Sequence, residues 1–170
     1  MKHPVGFLKD HPGFTNSLIT VLVAAHAALT YRGYCPDIWH GSGVNHARLF
    51  DIYVAMLTVA ALQASFAGII VIFGLSTQPS AFRQLRIKAG GELVNNWLSI
   101  SNSGFISAAF ALTASLTQLL ADSWIAPWLF ELSVCICVHG ILRLLWLLKC
   151  LIGIVQKDDV HKAQEENARN

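Results

Sequence analysis

Four long apolar stretches, at 14–31, 52–75, 97–121 and 124–148, alternate along the chain with short hydrophilic connections. A helix needs about 20 mostly apolar residues to cross the roughly 30 Å hydrocarbon core of a bilayer, and all four stretches qualify by length. Backbone groups in lipid must satisfy one another, so each stretch is predicted to be an α-helix. A transmembrane β-barrel would show many alternating segments of about ten residues, and this sequence lacks them. The pattern therefore predicts an all-α integral membrane four-helix bundle.

The connections complete the layout. Residues 1–13 form an N-terminal segment, 14–154 the four-span domain and 155–170 a polar tail, VQKDDVHKAQEENARN, read as a solvated helix end that frays. The 32–51 loop carries Gly33, Pro36, Gly41 and Gly43 as turn signals. The 76–96 loop is read as a short interfacial helix broken near Gly90 and Gly91. Lys and Arg near span ends are retained on the cytoplasmic side. Lys2, Lys9, Arg83, Arg86, Lys88, Lys149, Lys157, Lys162 and Arg169 fall on the side shared by both termini, against Arg32 and Arg48 on the other. Both termini are therefore expected in the cytoplasm. Trp97, Trp124, Trp128 and Tyr31 lie near span ends, where interfacial aromatic residues gather. A competing threading treats the first apolar run, closing on Ala25-His26-Ala27, as a cleaved signal peptide; three spans would then remain.

Composition agrees with the pattern. Of 170 residues, 54% are hydrophobic and 13% charged, against about 25% charged in an ordinary soluble domain. The net charge of +2 is dispersed, so no nucleic-acid partner is expected. Of the four cysteines, Cys135 and Cys137 stand two apart on one predicted helix and point in different directions. No disulfide framework or paired-cysteine metal motif follows.

Ionisable residues inside spans are costly and are the first place to look for function. Glu131, Cys135, His139 and Arg143 recur every four residues in the fourth span and share one helix face. That face is expected to meet other helices, with Arg143 snorkelling to the cytoplasmic interface. His26 lies close in depth to Glu131, so the two can pair if their helices touch. Two readings of the stripe stand: an interhelical hydrogen-bond seam, or a proton or redox path linked to haem or quinone. One haem shared by His26 and His139 is disfavoured by their depths, about 7 Å and 22 Å from the outer boundary at 1.5 Å per residue. No cofactor is expected. Cys35, Asp37, His40 and His46 in the outer loop match no zinc spacing, and no metal site is expected either.

In the third span Ser99, Ser103, Ser107, Ala111 and Ser115 are spaced by four, with Gly104 and Ala108 beside them; the second repeats the device with Ala60, Ala64 and Gly68. Such faces allow close helix approach in lipid. Asn102 and Gln63 add polar positions, and the rival reading is a serine-lined aqueous path through an oligomer. Leucine at Ser103 and Gly104 is accordingly expected to disrupt assembly.

No nucleophile elbow, HExxH pair or phosphate loop occurs, so no enzyme is expected. Small four-span proteins with inner termini and little exposed mass include exclusion, toxin-immunity and phage-defence membrane components. That analogy sets the expectation: a non-enzymatic, homo-oligomeric inner-membrane sensor, scaffold or pore-like channel element. Its expected partners are the lipid bilayer, further copies of itself, and a cytoplasmic protein on the basic loop at Arg83, Arg86 and Lys88.

Overall fold

The computed structural model describes residues 12–40, 45–76, 80–121 and 124–169. Four helices account for most of them: α1 (Pro12–Tyr31), α2 (His46–Ser76), α3 (Ser80–Ala121) and α4 (Ala126–Arg169). Each contains a window long and apolar enough to cross a membrane, Gly13–Tyr31, Arg48–Ile70, Asn95–Leu120 and Ala126–Lys157. The protein is an all-α four-helix bundle with the composition of a membrane domain.

The distribution of side-chain sizes supports insertion. Large apolar side chains face outward on every helix, among them Val21, Phe66, Ile69, Leu119 and Leu142, each about three-fifths exposed. Small ones fill the interior: Ala60, Ala111, Ala114, Ser107 and Ser133 are fully buried. In water this arrangement would forfeit most of the hydrophobic drive. In lipid, outward leucines lose nothing and small residues let backbones approach, so packing and hydrogen bonds hold the bundle.

The principal contacts run α2 to α3 and α3 to α4, with α1 laid against α4 and α2 touching it. Gly104 shows how closely α2 and α3 meet: a Cβ there would lie 2.9 Å from both the Ala64 Cβ and its backbone nitrogen. Three apolar clusters fill the bundle. At the end bearing the 32–45 connection, Leu49, Tyr53, Ala114 and Ala126 pack with Trp39 and Phe130. Between α1, α3 and α4, Val23, Leu132 and Ile136 pack with Ile19, Ile106 and Phe110. At the opposite end, Ala67, Trp97, Ile100, Leu144, Leu147 and Leu151 form the third.

Local signals set the helix ends. After α1 the Tyr34 N–H donates to Leu29 O at 2.9 Å and the Gly33 N–H to Thr30 O at 3.0 Å. Gly33 has φ +78°, so a Schellman motif closes the helix at the position where glycine alone is unstrained. Asn45 caps α2, its Oδ1 accepting the Arg48 N–H at 3.4 Å. Pro127 lies in the first turn of α4, where no backbone donor is needed.

Two expectations are corrected. Gly90 and Gly91 do not break the chain, because α3 runs unbroken from Ser80; two glycines cost about 1 kcal/mol each but sit among strong helix formers. Trp97 and Trp128 are 1% and 6% exposed, so they are core residues, whereas Trp124 and Tyr31 stay on the surface. The polar tail, expected as a solvated helix end, is the exposed continuation of α4 to Arg169, carried by its Gln, Lys, Ala and Glu residues and the lack of any Pro or Gly there. The N-terminal segment 1–11 and the side chains of Arg83, Arg86 and Lys88 lie outside the described residues.

Candidate functional site

The stripe on α4 follows from its four-residue spacing, which keeps Glu131, Cys135, His139 and Arg143 on the side of the helix that meets α1 and α3. At its upper end the His26 Nδ1–H donates to Glu131 Oε1 at 2.8 Å, linking α1 to α4. Both groups are partly exposed, 34% and 23%. The edge of the His26 ring meets Trp128, with centroids 5.3 Å apart and planes at 88°. Trp128 thus walls one side of the pair and fixes the imidazole plane.

Two turns further along α4, His139 Nδ1 lies 3.1 Å from Asn16 Oδ1. An amide oxygen only accepts, so Nδ1 carries the proton in this bond. Cys135, between these two bonds, is half-buried against the Val23, Leu132 and Ile136 cluster. The stripe then turns from α1 to α3. Arg143 donates from Nη1 to Ser99 Oγ at 3.0 Å and from Nη2 to Asn96 Oδ1. It is 8% exposed, which replaces the expected snorkelling: a guanidinium that finds two acceptors on a neighbouring helix need not reach the interface.

The small polar residues of α3 are spent inside the bundle. Ser107 Oγ donates to Ser133 O and Ser133 Oγ to Ser107 O, each at 2.8 Å, so two serines satisfy one another across the α3–α4 contact. Ser115 Oγ returns to Ala111 O at 2.9 Å and Ser103 Oγ to Ile100 O at 2.7 Å. Gln63 Oε1 accepts from Cys137 Sγ at 3.0 Å. A Cβ at Gly140 would collide with Gln63 Nε2 and Ser103 Oγ, so any larger residue there must turn those two side chains out of the positions they hold against α4. Ser103, Ser107, Ser115 and Gln63 are therefore helix-packing residues within one chain. The expectation that leucine at Ser103 and Gly104 breaks assembly is corrected, since those substitutions strike the bundle itself. Gly68 meets no atom within 4 Å of an added Cβ and marks no close approach. Asn102 faces outward.

At the loop end an aromatic cap forms. Trp124 stacks on His40 at 6.3 Å and meets Tyr31 edge-on at 5.9 Å; Phe130 lies 5.0 Å from Tyr53 and 5.7 Å from Trp39. Asp37 Oδ1 accepts the Trp39 and His40 N–H groups at 3.0 and 2.9 Å and the His40 Nδ1–H at 3.0 Å. Slight burial works to raise the pKa of this carboxyl. The donated hydrogen bonds and the neighbouring imidazole outweigh it, and the carboxyl lies below its ordinary value. Thr30 Oγ1, Trp39 Nε1, His40 Nε2, Tyr53 OH and Trp128 Nε1 are buried here without a partner among the described residues.

Chemically, the seam ties α1 to α4 through two imidazoles, His26 on a carboxylate oxygen and His139 on an amide oxygen. It does not present two imidazoles to one iron: Glu131 and His139 are two turns apart, about 12 Å at 1.5 Å per residue, and each histidine has its own partner. Among the described residues no three His, Cys, Asp or Glu side chains converge as a metal site, and all four cysteines are free thiols. Sequence reasoning singled out His26, Glu131, His139 and Arg143 but missed the acceptors Asn16, Asn96 and Ser133, and the tight passage at Gly140. The available signal was polarity within spans, which Asn16 and Ser133 both show. Comparison with known protein families, with curated proteins and with solved structures finds no match to this chain.

Proposed function

We propose that the protein is a non-enzymatic, multi-pass inner-membrane protein with both termini in the cytoplasm, acting as a homo-oligomeric sensor or scaffold whose responsive element is α1. One observation carries this reading. Helix α1 is held on α4 by two imidazole-centred hydrogen bonds, His26 to Glu131 and His139 to Asn16, while Leu18, Val21, Leu22 and Leu29 leave its remaining surface exposed. The other three helices are interlocked through fully buried alanines and serines. Such a bundle has a rigid part and a part that can move. The excess of Lys and Arg on the side of the termini supports the orientation. The reading favours sensor or scaffold over a pore-like element, because the serines that would line an aqueous path are taken up in packing. By analogy of class we assign it a setting in phage defence, exclusion or toxin immunity, with a cytoplasmic protein partner on the Arg83, Arg86 and Lys88 segment.

The test is a distance measurement between spin labels at Leu22 on α1 and Leu142 on α4, in lipid vesicles across pH 5 to 8. Two distances whose populations change with pH support a movable α1. A single distance at every pH removes it.

A second reading, a membrane redox or proton-handling protein using Glu131 and His139 and linked to haem or quinone, draws on the placement of both on one face of α4, each bonded to α1. It requires a chromophore or quinone that copurifies, or proton flux into vesicles. Full function retained by Glu131→Gln and His139→Ala proteins would eliminate it.

A further inference from the structure

Asn102 carries its carboxamide on the outward face of α3, exposed and with no hydrogen-bond partner among the described residues. It lies seven residues inside the Asn95–Leu120 apolar window, about 10 Å from its start at 1.5 Å per residue. The 26-residue window is about 39 Å long against a hydrocarbon core of roughly 30 Å, so with the window centred on that core Asn102 lies about 6 Å inside it. Acyl chains offer neither donors nor acceptors, so an amide left there goes unsatisfied.

Its neighbours form a seam. Leu98, Asn102, Phe105, Ala109, Leu112 and Leu116 follow one another at alternating steps of four and three, and all six are exposed. This is the spacing that keeps one face of a helix against a partner helix, and a single Asn within such a seam sets register and partner number. Around Asn102 the surface is notched by a shallow groove of about 430 Å³ lined by Leu98, Ser99, Ser101 and Phe105, open to receive a side chain. The opposite face of α3 is already committed to α2 and α4 through Gly104 and Ser107.

We infer that this face of α3 packs against the same face of a second copy, with the two Asn102 amides bonded to each other across a two-fold axis. A carboxamide is self-complementary, carrying both an acceptor and donors, so one symmetric contact satisfies both amides, as an isologous interface requires. The inference rests on the homo-oligomer part of the reading above and names its interface.

The experiment uses the full chain, labelled with donor and acceptor fluorophores in separate batches, mixed in lipid vesicles and diluted with lipid. The wild-type protein should show energy transfer that falls with lipid dilution. Asn102→Leu should weaken association on the order of tenfold, and Asn102→Gln should retain most of it. Ala109→Trp, which thickens the seam at an exposed position, should reduce it independently. Helicity and thermal midpoint should match wild type in all three. Undiminished transfer in both Asn102→Leu and Ala109→Trp would place the interface elsewhere and overturn this inference while leaving oligomerisation standing. A wild-type protein that shows no transfer at any dilution would overturn both.

Discussion

His26 and Glu131 stand 105 residues apart along the chain and 2.8 Å apart across the contact between α1 and α4. Their bond is one of the two imidazole-centred hydrogen bonds that join α1 to α4 among the described residues, so it should contribute measurably to the fold. A double-mutant cycle of His26→Ala and Glu131→Ala, read by unfolding in mixed micelles, should return a coupling of about 0.5–2 kcal/mol, the range of interhelical hydrogen bonds in membranes. A coupling indistinguishable from zero would show that the tie is decorative.

Glycine positions separate sharply by what surrounds them. Leucine at Gly104 must displace the Ala64 backbone and should destabilise the bundle by about 3 kcal/mol or more, as overpacking does. Alanine at Gly68, where nothing lies within 4 Å, should be neutral or stabilise by up to about 1 kcal/mol through helix propensity. Thermal midpoints in a single detergent decide the comparison. Equal losses at both sites would contradict the packing described for α2 and α3.

The Asp37 turn should respond to acid in one direction. Because its carboxyl titrates below the ordinary value in the folded loop, the turn gains stability that is complete above the ordinary carboxylate range and is lost as pH falls through the lowered pKa. Exchange protection of the Trp39 and His40 amides should therefore collapse on acidification. Asp37→Asn should flatten that pH dependence; a wild-type loop whose protection is constant into strong acid would refute the assignment.

Thiol chemistry checks both burial and orientation. Cys35 is only half-buried in the 32–40 loop, whereas Cys137 is 1% exposed with its thiol on Gln63. A membrane-impermeant maleimide added to intact cells should label Cys35 and leave Cys137 unmodified until the protein is unfolded. Labelling of Cys35 solely in inverted vesicles would reverse the proposed orientation.

The number and class of the helices were legible because length and apolarity alone report them, and Glu131 with His26 was legible because depth along two helices can be counted. The partners of His139 and Arg143 were not. Which helix lies beside which is a property of packing, and four spans admit several arrangements with the same hydropathy. The α3 stripe of Ser103, Ser107 and Ser115 shows the same gap. Its spacing announces close approach, yet nothing local distinguishes a neighbour in the same chain from one in another copy. Trp97 fell on the wrong side of that line because a span-end position resembles an interface position until the adjoining α2 and α4 residues are known to enclose it.

The helices also differ in reach. The apolar window of α1 has 19 residues and that of α4 has 32, about 28 Å and 48 Å at 1.5 Å per residue. The α1 window matches a hydrocarbon layer of roughly 30 Å, while the α4 window exceeds it, and an apolar stretch longer than the layer is accommodated by tilt, by local thickening of the lipid or by emerging from it at its Lys149–Lys157 end. Tilt or thickening costs fractions of a kcal/mol per ångström of mismatch. Under the proposed reading, in which α1 is the responsive element, changing acyl-chain length would load the short α1 window differently from the long α4 window.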